Sequence, residues 1–208
     1  MMKIWGRSNS INVQKVVWAA NEFGLPYQRI DAGMEFGIVK TPDYLTKNPN
    51  GLVPCVEVDG LTLWESNAIV RYLASRHPQS HEPLWPTDPG LRVLADRWMD
   101  WQTTTLYPAM HAAFIGLVRT PPERRNAEAI ETSIALYETK MAILDAQLAQ
   151  NEFLAGADFT MGDIPCGAVV HRWLHMPVER KPWPNVERWY RSIAARPAAR
   201  TALILPVT

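Results

Sequence analysis

Three short segments near the start of the chain place polar residues where folded proteins bind small charged molecules. The first, residues 7–12, lies between a strand-like stretch and a helical one. The N–H groups and the dipole of a helix N-terminus favour a negative charge, and the Ser10 hydroxyl is best placed to donate into that space. Serine and asparagine before a helix are more often simple caps, so this segment indicates an anion site only in combination with others.

The second segment, residues 48–56, carries a proline at the entry of a strand-like pattern. Proline cannot donate to a strand ladder. A cis bond between Val53 and Pro54 would turn the chain and leave the Val53 backbone free to pair with an extended ligand. Because only about 5 % of X–Pro bonds in folded proteins are cis, this hypothesis needs support from the other segments.

The third segment, residues 64–73, places Glu65 and Ser66 at a junction between a strand and a helix. The Ser66 hydroxyl and the first N–H groups of the helix could hold a carboxylate, and the Glu65 carboxylate could hold an ammonium group. A ligand with both groups on one carbon, as at the end of an α-amino acid, would fit this pair. A plain helix cap is the competing interpretation.

The elements that must position these residues occupy the first third of the chain. Residues 1–78 alternate strand and helix patterns in the order β-α-β-α-β-β-α. Asn12 is predicted to cap the first helix, Thr41-Pro42 to begin the second, and Asp59-Gly60 to join two strands as a hairpin. We therefore expect a small α/β domain over these residues.

The rest of the chain has helical patterns. Residues 79–89 are rich in proline and are predicted to be a linker, and residues 90–208 to be an all-α domain. Its predicted helices cover 91–117, with a bend at Pro108, and then 123–150, 160–174 and 185–196.

Composition excludes several classes of protein. The chain has 208 residues, with 21 basic and 21 acidic side chains, so a broad basic surface for nucleic acid is not expected. No apolar run is long enough to span a bilayer, and the first residues lack the apolar core of a signal peptide. We therefore expect a cytoplasmic protein that binds neither membrane nor nucleic acid.

Cysteine and histidine spacing predicts no metal site. Cys55 and Cys166 lie far apart in the sequence and match neither a disulfide framework nor a metal motif. His171 and His175 are four residues apart without an acidic third ligand beside them, so a packed pair is the favoured interpretation.

In combination, the three segments resemble those of the cytosolic glutathione transferases of the serine type, the theta-, phi- and zeta-like group, in a bacterial form. The second domain adds the sequence of residues 159–164, which resembles the capping box and hydrophobic staple of that family. The residues that carry the resemblance are Ser10 with Val16, Asn48-Pro49, Val53-Pro54, Glu65-Ser66, Ala68-Ile69, Tyr72-Leu73, and Phe159 to Ile164.

The resemblance implies an α/β thioredoxin-like N-terminal domain followed by an all-α C-terminal domain, in a homodimer. It implies glutathione as co-substrate, with no other cofactor. The residues it assigns to glutathione are Lys40, Val53, Pro54, Glu65 and Ser66. Val39 stands where several classes have a histidine, a departure at the glycyl end of the site.

The resemblance also assigns the activation of the thiol. A free thiol has a pKa near 8.5, and lowering it by about two units requires about 2.7 kcal/mol. One hydrogen bond to a charged group supplies about 1.5–3 kcal/mol, and the helix dipole about 0.3–1 kcal/mol. Ser10 as a neutral donor is therefore sufficient, with Asn12 as the second candidate and Ser8 as the third.

The expected activity is the transfer of an alkyl or aryl group from a small apolar electrophile to glutathione, as in detoxification. Two alternatives stay open, namely glutathione-dependent peroxide reduction and a binding or regulatory protein without turnover. In this family the first long helix of the second domain faces the cleft. The residues of this helix expected to line the electrophile site are Trp98, Trp101, Met110 and His111.

Overall fold

The structure is a computed structural model that describes residues 1–77 and 84–208. Its N-terminal part is a four-stranded mixed sheet with the strand order β2-β1-β3-β4. Strand β1 pairs in parallel with β2 and antiparallel with β3, and β3 pairs antiparallel with β4. The strands are β1 (Met2–Trp5), β2 (Tyr27–Ile30), β3 (Cys55–Val58) and β4 (Leu61–Trp64).

Three helices accompany this sheet, and the predicted element order is confirmed. They are α1 (Ile11–Glu22), α2 (Pro42–Lys47) and α3 (Ser66–Arg76). The Thr41 hydroxyl accepts a hydrogen bond from Tyr44 N, as expected for the cap of α2. Asp59 and Gly60 both have positive φ, as a tight hairpin turn between β3 and β4 requires.

One glycine is required where β1 leads into the site. Gly6 has a φ of +155°, and a Cβ there would lie 2.3 Å from Val13 Cγ2 in α1. Glycine therefore lets the loop that carries Ser10 pack directly against the first helix.

The helical part begins with one continuous run of helix from Pro89 to Arg119. Pro108, where a bend is predicted, lies in the first turn of α5, and the π-helical segment before it changes the hydrogen-bonding pattern where the proline lacks an N–H. The run comprises α4 (Pro89–Trp101), a π-helical segment (Gln102–Leu106), α5 (Tyr107–Phe114) and a second π-helical segment (Ile115–Arg119).

Four further helices complete this part. Three of them correspond to predicted helices, and the last, which begins at Pro197, was not predicted. They are α6 (Ala127–Leu148), α7 (Asp163–Leu174), α8 (Pro184–Ala194) and α9 (Pro197–Ala202). Of the predicted linker, residues 79–83 lie outside the described residues.

The two parts share one hydrophobic core, with α1 at their interface. Trp18 of α1 stacks on Phe159, with ring centroids 5.9 Å apart. Glu22, at the end of α1, accepts from Trp18 Nε1 and from the Arg196 guanidinium, both at 2.8 Å. The α/β part and the helical part therefore hold each other in a set orientation around α1.

Within the residues that the structure describes, no helix combines the length and the apolar character needed to cross a membrane.

Candidate functional site

Ser10 lies immediately before α1, at its N-cap position. Its side chain is largely buried, at 6 % exposure, and among the described residues its hydroxyl makes no capping hydrogen bond to the helix. The backbone N–H of Ser10 donates to Arg7 O at 3.2 Å, which holds the loop in place. The hydroxyl is therefore positioned by the fold yet left available to a ligand at the positive end of the helix.

Asn12 does not cap α1, contrary to the prediction. The helix begins at Ile11, so Asn12 lies within its first turn. The reason is that Ser10 takes the N-cap position, with extended backbone angles of −76° and 121°. The Asn12 side chain instead accepts a hydrogen bond of 3.3 Å from Ser66 Oγ, which links the first turns of α1 and α3.

Glu65 occupies the N-cap position of α3 in an unusual backbone conformation. Its φ is +68°, a region that residues other than glycine rarely adopt and that is often found at functional sites. Its side chain is exposed and, among the described residues, makes no capping hydrogen bond. The Glu65 carboxylate and the Ser66 hydroxyl thus lie next to one another at the start of one helix.

The Val53–Pro54 peptide bond is cis, as the sequence predicts. The preceding loop is held by Tyr44 Oη and Asn48 Nδ2, which both donate to Leu52 O at 2.7 and 2.8 Å. Val53 is half-buried at the end of this loop, and Cys55 begins strand β3. The loop therefore presents the Val53 backbone at the edge of the site.

Lys40 extends along the same loop from the other side. Its side chain is exposed, and Nζ donates to Asn50 O at 3.4 Å. A Cβ at Gly51 would lie 2.6 Å from this Nζ, so the glycine leaves room for the lysine. The half-buried Val39 beside it packs against the small cluster of Ala32, Tyr44 and Cys55.

The predicted electrophile residues divide into two groups. Trp101 is half-buried and His111 is exposed, so both present surface to a ligand. Trp98 is 6 % exposed and Met110 is fully buried, because both pack into the common hydrophobic core. Met110 is thus a core residue here. The half-buried Tyr107 contacts the exposed His111, with ring centroids 5.7 Å apart.

Two cationic residues of the site were not identified from the sequence. Lys15 is fully buried between the two parts of the chain, where Nζ donates to Gln102 Oε1 at 2.7 Å and to Asn67 Oδ1 at 3.4 Å. Burial lowers the pKa of Lys15 to about 7. Arg172 of α7 is also buried and donates to Asn9 O, next to Ser10. Neither residue carries a local sequence signal, because their partners lie far away in the chain.

Neither cysteine has the environment of a reactive thiol. Cys55 and Cys166 are both buried, and burial raises the pKa of Cys55 to about 11 and the pKa of Cys166 well above its usual range. In the described part of the chain, no group of three or more His, Cys, Asp or Glu side chains could hold a metal ion.

Comparison with known proteins identifies the family. The family models "Glutathione S-transferase, N-terminal domain" and "Glutathione S-transferase, C-terminal domain" match residues 1–75 and 127–192. The chain belongs to the glutathione S-transferase family. It is 44 % identical to glutathione S-transferase GstB of Escherichia coli strain K12 over 210 residues, which cover all of both chains.

Other relatives of this transferase include a plant enzyme and a bacterial crystal structure. Glutathione S-transferase 3 of Zea mays is 28 % identical over 217 residues, covering 99 % of this chain and 95 % of that protein. The theta-class glutathione S-transferase of Xanthomonas axonopodis pv. citri, solved with glutathione bound, is 42 % identical with a TM-score of 0.95. That alignment covers 100 % of this chain and 99 % of the other. The predicted family, fold class and transferase activity are confirmed.

Proposed function

We propose that this transferase binds glutathione at the Ser10 edge of its α/β domain and stabilises the thiolate with the Ser10 hydroxyl. The observation that carries the proposal is the Ser10 side chain at the N-terminus of α1, which is buried and makes no capping hydrogen bond to the helix. Among the described residues the Ser10 hydroxyl donates to no acceptor, so its O–H is free to donate to an anion at the helix N-terminus.

The remaining contacts follow from the geometry of the two loops. Glu65 accepts the ammonium of the γ-glutamyl end, and Ser66 exchanges its hydrogen bond to Asn12 Oδ1 for one to the γ-glutamyl carboxylate. Val53, before the cis Pro54, pairs its backbone with the cysteinyl part, and Lys40 attracts the glycyl carboxylate. The hydrogen bond from Lys40 Nζ to Asn50 O holds the lysine near the proposed position of the glycyl carboxylate. Lys40 can therefore attract that carboxylate even though Val39 stands where several classes have a histidine.

The reaction is a substitution by the thiolate. The glutathione sulfur forms a bond to an electrophilic carbon, and the leaving group departs with the electron pair of the bond that breaks. Ser10 keeps its proton throughout and acts as a donor. Asn12 is the alternative donor, because it lies in the first turn of α1, two residues from Ser10, and its side-chain amide has an Nδ2 donor.

Conjugation is favoured over disulfide exchange by the environment of the two cysteines. Disulfide exchange needs a thiolate of the protein, whereas both cysteine thiols are buried and have raised pKa values. Glutathione-dependent peroxide reduction uses the same glutathione thiolate and would require the same Ser10.

We also propose that the protein is a cytoplasmic homodimer that does not use nucleic acid as a partner. Strand β4 forms one edge of the sheet, and its residues Leu61 and Trp64 are 46 % and 40 % exposed. Leu91 and Val93 of α4 are 52 % and 59 % exposed. Apolar side chains on an open sheet edge are typical of surfaces that a partner covers. Light scattering during size exclusion tests this, with a monomer mass contradicting it.

The catalytic proposal is tested by titrating the ultraviolet thiolate absorbance of glutathione bound to the wild-type protein. We expect saturable binding and a bound thiol that ionises about two pKa units below the free one. Binding with an unshifted thiol pKa, or no saturable binding, would favour the non-catalytic alternative.

A further inference from the structure

Two arginines of the helical domain, Arg119 and Arg172, lie close to the loop that carries Ser10. Arg172 of α7 donates to Asn9 O at 3.2 Å, and its guanidinium lies 4.1 Å from the centroid of the Phe114 ring. Arg119 lies 4.7 Å from the same ring. Phe114 thus packs against two guanidinium groups of the helical domain, next to the proposed thiol site.

Arg7 adds a third guanidinium from the α/β domain. A Cβ at Gly33 would lie 3.2 Å from Arg7 Nη1 and 3.5 Å from Val53 Cγ1. The Arg7 guanidinium therefore lies beside Val53, the residue proposed to pair with the cysteinyl part of glutathione. Arg7 and Arg172 thus belong to different domains, and Arg172 contacts Asn9, the residue before Ser10.

These guanidinium groups keep most of their hydrogen-bonding capacity. A guanidinium has five N–H donors, and among the described residues Arg172 uses them for the bond to Asn9 O alone. In the same set of residues, the Arg7 side chain makes no hydrogen bond or ion pair. Arg119, at the exposed rim, donates to the Thr208 main-chain oxygen at 3.1 Å.

The balance of charge around the three arginines is positive. Burial, repulsion by Arg119 and repulsion by Arg7 all act to lower the pKa of Arg172, to about 10, against attraction from Tyr107. Burial and repulsion by Arg119 likewise lower the pKa of Arg7, while attraction from Glu35 and Tyr107 acts to raise it. No aspartate or glutamate of residues 1–77 and 84–208 forms an ion pair with any of the three.

Arg172 is buried and, among the described residues, has no acidic partner, which is costly to a fold, and the half-buried Arg7 shares part of this cost. A ligand that supplies the missing negative charge recovers this cost, and a carboxylate matches the planar fork of arginine. Glutathione already has proposed partners for its own carboxylates in Ser66 and Lys40. The anion that suits Arg7 and Arg172 therefore belongs to the second substrate.

We propose that the preferred acceptor of this transferase carries a carboxylate, which Arg7 and Arg172 bind while its apolar body lies toward Tyr107. This inference rests on the proposed thiolate chemistry. The sulfur forms a bond to the electrophilic carbon, the bond between that carbon and a halogen breaks, and the halide leaves with the electron pair. The carboxylate is unchanged and serves only for recognition.

A matched pair of acceptors tests the proposal. The probes are 4-(bromomethyl)benzoate and its methyl ester, which share the reacting carbon and the leaving group and differ in charge. Rates are measured at saturating glutathione with the uncatalysed rate subtracted. We expect wild-type kcat/KM to be about tenfold or more higher for the carboxylate, the effect of a hydrogen bond to a charged group.

Variants connect this preference to the arginines. In Arg7→Gln we expect kcat/KM for the carboxylate to fall about 10- to 100-fold while the value for the ester is retained. Arg172→Lys keeps a positive charge in the buried position but loses the paired N–H donors of the guanidinium. We expect a smaller fall in kcat/KM for the carboxylate, again with the value for the ester retained. Arg124→Gln is the control, because Arg124 is exposed on the turn before α6.

Other outcomes overturn the proposal. Equal losses for both acceptors with a raised pKa of the bound thiol would mean that the arginines act on the thiolate. A raised KM for glutathione with unchanged acceptor preference would assign them to glutathione. A wild-type enzyme that conjugates the ester as fast as the carboxylate would refute carboxylate recognition alone, whereas loss of thiol ionisation in the wild type would refute the proposed catalytic function.

Discussion

Lys15 Nζ in α1 donates a hydrogen bond of 2.7 Å to Gln102 Oε1 in the π-helical segment, across the interface between the two domains. Asn67, next to Ser66, joins the same network by donating to Met99 O at 2.7 Å. The residues that present the proposed γ-glutamyl site are thus attached directly to the helix that lines the acceptor side. This network makes the position of the proposed γ-glutamyl site depend on the position of the helix on the acceptor side.

The Lys15 amine gives the fold a specific pH dependence. Its pKa is about 7 in the folded protein and near 10.4 in an unfolded chain. Between these values the unfolded state binds more protons, so the contribution of Lys15 to stability increases with pH. Relative to Lys15→Met, the wild type is expected to gain up to about 3 kcal/mol between pH 7 and pH 9.5. Urea unfolding of both proteins at the two pH values measures this, and parallel pH profiles would contradict it.

Removing the Ser10 hydroxyl is expected to impair activation of the thiol more than binding of glutathione. In Ser10→Ala the pKa of bound glutathione should rise by about one to two units, the value of one hydrogen bond to a thiolate. The thiolate absorbance and the glutathione affinity are measured in parallel. Asn12→Ala is the matched variant, and a larger thiol shift there would transfer the role to Asn12.

Ser66→Ala is expected to show the opposite pattern. The Ser66 hydroxyl is proposed to donate to a ligand carboxylate, so its loss should weaken glutathione binding by about tenfold. The pKa of the thiol that does bind should stay close to the wild-type value. Calorimetric titration with glutathione measures the affinity. Ser75→Ala, toward the other end of α3, is the control, and an equal loss there would remove the argument for Ser66.

The Glu22–Arg196 pair is expected to stabilise the contact between the domains. Both guanidinium bonds are short, at 2.8 and 2.9 Å, and the Glu22 side chain is 6 % exposed. Glu22→Ala leaves Arg196 and Trp18 Nε1 without this acceptor, so the free energy of unfolding should fall by about 3 kcal/mol. Chemical denaturation measures the loss, with the exposed Glu152→Ala as control. A change below about 1 kcal/mol, the value of a surface pair, would contradict the expectation.

Two residues of the α4–α5 run should separate acceptor binding from folding. Met110→Ala removes a fully buried side chain and is expected to cost about 2–5 kcal/mol of stability. The Tyr107 side chain is half-buried beside His111. Tyr107→Ala should therefore raise KM for the acceptor with little loss of stability. Acceptor kinetics and thermal unfolding are measured on both variants. A Met110→Ala protein of wild-type stability with altered acceptor KM would restore Met110 to the acceptor site.

Local signals in the sequence account for much of the first domain. Thr41-Pro42 begins α2, Asp59-Gly60 turns the hairpin, and Val53–Pro54 is cis, each because the chemistry of one or two residues restricts their own backbone. Two residues of the proposed glutathione site follow the same rule, since Ser10 and Glu65 both stand at element boundaries. Such boundaries are visible in a sequence without knowledge of the rest of the fold.

The tertiary structure decided the features that depend on residues far apart in the chain. The sequence predicts Asn12 as the cap of α1. In the structure its side chain accepts a hydrogen bond from Ser66, because α1 and α3 pack side by side. Met110 and His111 are neighbours on one helix, and only the packing of that helix buries one and exposes the other.

The sequence by itself determined the family and the order of elements, because these depend on local backbone chemistry and on motifs within short segments. The buried cations Lys15 and Arg172 were decided by the tertiary structure alone. Their partners Gln102 and Asn9 lie far from them in the chain. From a helical sequence pattern, a lysine or arginine is expected to be exposed to solvent. Only tertiary packing excludes water from such a side chain, and the cation must then be stabilised by hydrogen bonds or a ligand.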